Sequence, residues 1–259
     1  MRPRSAHAAR FIAPLLLALA FDVSAILPEE IQVYDDDVNA PRELSLELHA
    51  NYAVQGLKTP AFPGQLPSHH VLQMTPEFSL GLAPNWDAGL YLLSTLAPGG
   101  SFDVNGAKLR VKYIAPHAEA QALFWGINGE IGNTSRRVNE TNWNYELRPI
   151  VGWRGDKWLV AFNPVLGGAL SDKVSREPAL LPMFKVAREV AQGYSVGFEH
   201  YADVGPIHHR DPLSEQSHLL YGVVDVARGA LDLNLGIGRG LNDSSERWVI
   251  KAIIGFPLK

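Results

Sequence analysis

Between Trp143 and Leu170 the chain alternates strictly, and that alternation restricts what it can fold into more than any other stretch. Trp143, Tyr145, Leu147, Pro149, Val151 and Trp153 form one row, with Asn144, Glu146, Arg148, Ile150, Gly152 and Arg154 between them. Gly155-Asp156-Lys157 then turns the chain into a second row of Trp158, Val160, Phe162, Pro164 and Leu166. A period of two on both sides of a tight turn predicts a β-hairpin. Each run is about the 9–11 residues that a tilted strand needs to cross a bilayer. The tryptophans bracketing the apolar rows match the aromatic girdles of a membrane barrel.

Energy decides which row faces which medium. Arg148 pointed at lipid near the midplane would cost about 2–4 kcal/mol, whereas Leu147, Val151 and the tryptophans enter hydrocarbon freely. The charged row is therefore predicted to face a lumen. One hairpin alone could equally belong to a soluble sandwich, so the rest of the chain must decide.

Residues 1–25 read as a secretory signal peptide. Arg2, Arg4 and Arg10 precede the apolar run Phe11 to Phe21, and Val23-Ser24-Ala25 supplies small residues for cleavage. The run falls short of the ~18 residues of a helical span. With no cysteine in the chain, a lipoprotein anchor, disulfides and thiolate chemistry are excluded. A net charge of −4 argues against a nucleic-acid partner. Residues 26–42 (ILPEEIQVYDDDVNAPR) are acidic and without period, and are expected to form a periplasmic lead-in to a barrel over residues 43–259. Asp35-Asp36-Asp37 could hold a cation, but consecutive acids are more often simply solvated.

From residue 43 onward the chain meanders. Leu44, Leu46, Leu48, Ala50 and Tyr52 alternate with Glu43, Ser45, Glu47, His49 and Asn51, and Val71 to Leu82 repeats the pattern. Further runs follow at 86–96, 107–115, 119–131, the opening hairpin, 184–190, 194–203, 218–226, 231–237 and 247–256. Phe184 to Val190 is the weakest, because either face exposes Arg188 or the pair Lys185 and Glu189. The connections sort by parity. Ala83-Pro84-Asn85, Ala115-Pro116-His117, Gly155-Asp156, Gln192-Gly193 and Arg228-Gly229 are short, whereas 56–69, 97–106, 132–142, 171–181, 204–215 and 241–245 are longer and polar. Short turns at one end and long loops at the other characterise outer-membrane barrels. The expected fold is all-β, a closed antiparallel up-and-down transmembrane β-barrel of about twelve strands, with short periplasmic turns and long external loops. Pro76, Pro149 and Pro164 fall inside strands, where each forfeits a ladder hydrogen bond, so bulges or strand ends are expected there. Phe256, just before Pro257-Leu258-Lys259, takes the place of the customary terminal aromatic.

The segments EIQVYDDDVNAP, ELRPIVGW, WLVAFNPVL, VGFEHYADVGP, LDLNLGIGRGL and ERWVIKAIIGF resemble those of exported bacterial barrels similar to the outer-membrane proteins of the MetA pathway of phenol degradation. The resemblance covers most of the chain after residue 25. It implies an outer-membrane protein that moves hydrophobic or aromatic compounds, and it carries no catalytic residues to transfer.

Function must then lie in the lumen row: Glu47, His49, Glu77, Arg110, Glu130, Glu146, Arg148, Glu199, Asp225, Arg247 and Lys251 are expected to project inward. They would tune the selectivity of a wide channel or pair across a narrow one. The reading is a passive channel for small solutes, hydrophobic or aromatic ones among them, with outer-membrane lipid and lipopolysaccharide as surroundings, no cofactor and no resident metal. The alternatives are a closed structural or loop-binding barrel and, less favoured, a lipid-modifying enzyme. The enzyme would need a nucleophile and base such as Ser94 and His200 together on the outer surface. His208-His209 and His69-His70 are weak candidates for metal binding in loops.

Overall fold

The computed structural model describes residues 29–117, 123–171, 174–229 and 231–258. The predicted signal peptide lies outside the described residues, as do the end of the fourth connection and the predicted start of the fifth run. Twelve strands follow one another: β1 (Leu44–Gln55), β2 (Leu72–Ala83), β3 (Trp86–Leu96), β4 (Phe102–Ile114), β5 (Leu123–Thr134), β6 (Trp143–Gly155), β7 (Trp158–Ala169), β8 (Ala179–Ala191), β9 (Tyr194–Asp203), β10 (Ser217–Arg228), β11 (Leu231–Gly240) and β12 (Trp248–Leu258). Each pairs antiparallel with its neighbours in sequence, and β1 closes on β12 from Leu44↔Leu258 to Gln55↔Trp248. Closure removes the sheet edges, so every backbone group can be satisfied in a medium without water.

The barrel is inside out relative to a soluble protein. Leu90, Leu109, Ile131, Leu147, Phe162, Phe198 and Ile250 are exposed on its outer face, while His49, Glu77, Asn128, Arg148, Asn163 and Lys251 are buried within. A contiguous apolar belt of this kind calls for lipid as its solvent. Trp86 packs on Tyr113 at 4.7 Å between ring centroids and Tyr113 meets Trp125 at 6.0 Å, so an aromatic cluster marks the short-turn rim. The β6–β7 turn has Asp156 and Lys157 both at positive φ (48° and 67°), the geometry that matches the twist of a two-residue hairpin.

Three sequence expectations change in detail. The loop predicted over 97–106 shrinks to 97–101, because β4 begins at Phe102 and carries a bulge. The β3 partners step from Leu93↔Gly106 to Ser94↔Val104, leaving Asn105 as the extra residue. Gly106, at φ 130°, has no room for a side chain, since a Cβ would sit 2.1 Å from the Asn133 carbonyl oxygen. The weak run at 184–190 is the inner part of a full strand, β8. Lys185 turns inward and Arg188 outward, where its guanidinium lies 5.3 Å from the Trp158 ring at the short-turn rim. Finally, Pro149 and Pro164 face one another in the same gap of the β6–β7 ladder, between Leu147↔Leu166 and Val151↔Phe162. One interruption accommodates both prolines, and each keeps a partner on its other side, Ile127 and Pro182.

The expectation for residues 26–42 is corrected more substantially. The described part of that segment does not hang below the barrel; it runs through it. The Glu29 carbonyl accepts from Asn51 Nδ2 near the long-loop end of β1, while Asn39 Nδ2 donates to Ser45 Oγ at the other end. Ile31, Val33 and Tyr34 are buried between these points. Residues 29–40 thus form a strap down the lumen. It leaves the lumen where Arg42 N–H donates to the Gly81 carbonyl, and Arg42 itself is at φ 70° before β1 begins.

The lumen and its strap as candidate functional site

Alternation brings nearly all the predicted lumen residues to the interior, and strand register sorts them into three groups. On β2–β4, Glu77 accepts from Arg110 Nε (2.5 Å) and from Ser79 Oγ (2.7 Å), and the Arg110 guanidinium also bonds Asp87. On β6, Arg148 donates to Glu146 Oε1 at 2.8 Å and approaches Glu30 of the strap at 3.5 Å. On β8–β12, Lys251 bonds Glu199, and Lys185 reaches Glu199 at 3.3 Å and Asp225 at 2.9 Å. Charges taken from water are tolerable only with such partners. Glu47 and His49 lie beside the first group, with His49 Nε2 3.3 Å from Glu77 and 3.5 Å from Glu47. Glu130 is buried on β5 and accepts from Asn128. Arg247 departs from expectation: it precedes β12 and is exposed at the long-loop rim, its N–H held by the Gln55 carbonyl.

The strap threads these groups together. Arg148 donates to the Gln32 carbonyl at 3.0 Å and stacks 4.1 Å over the Tyr34 ring. Lys251 donates to the Ile31 carbonyl at 2.9 Å. Lys108 pairs with Glu29. Asn163 binds the Tyr34 backbone twice: its Oδ1 accepts from the N–H at 2.7 Å and its Nδ2 donates to the carbonyl at 3.0 Å. Tyr34 Oη also meets Tyr91 Oη at 2.6 Å. At the short-turn end the strap is tied by charge, with Arg154 bonding Asp36 (3.0 Å) and Asp35 (3.2 Å) and His117 bonding Asp36 at 3.1 Å. Asp36 is correspondingly acidified: Arg154 outweighs its partial burial. Arg154 thus supplies a cation to Asp35 and Asp36.

Below the strap a cavity of about 480 Å³ reaches the short-turn end, lined by charged side chains including Glu47, Lys112, Arg154, Lys185, Asp225 and Asp232. Apolar side chains share this vestibule with the charged ones, Trp158, Leu159 and Ile253 among them.

The other candidates do not assemble. Ser94 is on β3 and His200 on β9, six positions apart around a twelve-strand ring, on opposite walls. Ser94 Oγ donates to the Met74 carbonyl, and His200 stacks on His218 at 5.4 Å. His208 and His209 are both tied to Glu177, through the His208 N–H at 2.7 Å and His209 Nδ1 at 3.1 Å. The His69 and His70 rings lie tilted against one another, 3.9 Å between centroids. Sequence reasoning missed Tyr34, Tyr91, Asp87, Asn163 and Lys185 as lumen residues. Parity on β3 would have found Asp87 and Tyr91, whereas nothing local marks Tyr34 as interior.

No protein-family model matches this chain, and no curated protein matches it in sequence. Solved structures do match in fold. The COG4313 outer membrane channel from Pseudomonas putida F1 superposes with a TM-score of 0.59 over 88% of this chain and 100% of that one, at 11% identity. KdgM porin superposes with a TM-score of 0.53 over 83% of this chain and 99% of that one, at 9% identity. At such identities the likeness is one of fold, that of bacterial outer-membrane barrels.

Proposed function

We propose that this protein is an outer-membrane channel for small hydrophilic solutes, with the strap of residues 29–40 setting the width of its path. The observation that carries this reading is the charge-bearing vestibule inside a closed barrel, separated from the long-loop end by a segment held both by polar contacts and by the buried Ile31, Val33 and Tyr34. The fold shared with the COG4313 channel and KdgM porin supports the same direction. The phenol-pathway resemblance would add aromatic cargo. The many charges of the lining favour hydrophilic solutes as the preferred class, while Tyr34, Trp158, Leu159 and Ile253 are the apolar surface that an aromatic cargo would meet.

Planar-bilayer recordings of the refolded protein test the channel. Small, interrupted conductances are expected from the intact chain, and a variant lacking residues 29–40 is expected to conduct several-fold more. Silence from both would reject transport. It would favour the second reading, a closed structural barrel, which the buried Ile31, Val33 and Tyr34 would then serve as a permanent plug.

A further inference from the structure

The β1–β2 ladder brings three metal-ligating side chains to one spot. Glu47 and Glu77 are direct cross-strand partners, and His49 lies two residues along β1 on the same inward face. Two carboxylates directly opposed destabilise a sheet unless something positive lies between them. The His49 ring is fully buried, with its Nε2 set between Glu77 Oε2 and Glu47 Oε2 at 3.3 and 3.5 Å, and all three ligand atoms fall within 4.8 Å of one another. Bonds of about 2.1 Å from a tetrahedral zinc ion would place its ligand atoms about 3.4 Å apart, which the two spacings to His49 match.

The surroundings fit the same occupant. Glu77 gives its other oxygen, Oε1, to Arg110 and Ser79, which orient the carboxylate and leave Oε2 for the cluster. Asp87 answers the Arg110 charge from the far side. Gly255, the β12 partner of Glu47, has no side chain to crowd it. Both carboxylates line the vestibule, so an ion can enter by water and keep an open coordination position. A neutral imidazole and two carboxylates balance a divalent charge and suit zinc.

We propose that Glu47, His49 and Glu77 form a divalent transition-metal site, with zinc as its best ion, on the lumen wall. The site does not depend on whether solutes pass the barrel. Its competitor is a protonated His49 bridging the two carboxylates with no ion at all.

The test is a zinc titration of the refolded, metal-stripped full-length barrel in detergent. One ion per barrel is expected, with binding weakened at least about tenfold by Glu47→Gln and by His49→Gln and unchanged by the double loop variant His208→Ala/His209→Ala. No stoichiometric binding, or binding indifferent to both lumen variants, would overturn the site. Glu47 is partly exposed, so its variant is expected to fold as judged by heat-modifiable gel mobility. Crystals soaked in zinc give an independent reading: an anomalous peak among the three side chains supports the site, and a peak elsewhere or none overturns it.

Discussion

At Asn163 a single side-chain amide takes the place of a neighbouring strand, accepting from the Tyr34 N–H and donating to its carbonyl. Truncation to Ala would leave two buried backbone groups unpaired, a cost of about 1–3 kcal/mol. Asn163→Ala is expected to speed amide exchange in residues 31–35 by roughly tenfold or more, with strand protection unchanged; hydrogen-exchange mass spectrometry reads both. A second residue responds to pH. Glu246, in the loop before β12, is fully buried, and burial pushes its carboxyl up to about 7 despite partial relief from its own backbone and Ser68. The folded state therefore binds this proton more tightly than the unfolded chain does. Stability from this group is present at low pH and is lost as pH rises from about 4.5 towards 7. Urea denaturation at pH 5 and pH 8 is expected to show Glu246 weakening the folded barrel at pH 8 by about 2–3 kcal/mol, read as the amount by which Glu246→Gln narrows the difference between the two pH values. Neither residue was legible beforehand. Asn163 could be placed inward by parity, but its partner is 129 residues away, and Glu246 falls between a polar loop and a strand with no pattern to mark it as buried.

Strands were legible wherever one row was uniformly apolar, because a lipid-facing row admits few exceptions. They were misjudged where a local feature imitated a loop. Asn105-Gly106 looked like the end of a long connection and is a bulge within β4. Gly106→Ala is expected to lower the urea midpoint by the equivalent of about 1–3 kcal/mol, since the added Cβ meets the Asn133 carbonyl at a left-handed φ. An unaltered midpoint would mean that the bulge relaxes freely. β8 was ambiguous because Arg188 faces outward, yet at the rim its charged end lies over Trp158 while its stem covers apolar surface. The strand prolines do interrupt their ladders, but as gaps in an unshifted register rather than as the expected bulges or strand ends, and that Pro149 and Pro164 share one gap depends on the β6–β7 register.

For the molecule as a whole, the belt makes the sharpest demand. Leu147, exposed near the middle of β6, is expected to tolerate Arg poorly: Leu147→Arg should cost about 2–4 kcal/mol in reversible folding into lipid vesicles. Indifference to that change would mean that hydrocarbon does not cover this face. Alternation, strand count and the parity of connections sufficed for the barrel, because a period of two assigns each residue to one side of a sheet regardless of its distant partners. The same parity sent Glu47, His49, Glu77, Arg110, Arg148, Glu199 and Lys251 inward. It could not say which of them meet, since that follows from the curvature of a closed wall. Nor could it foresee that residues 29–40 enter the lumen. An aperiodic acidic segment has no partner of its own, and its place is decided by contacts with Arg148, Asn163, Lys251 and Arg154, which only the assembled barrel brings around it.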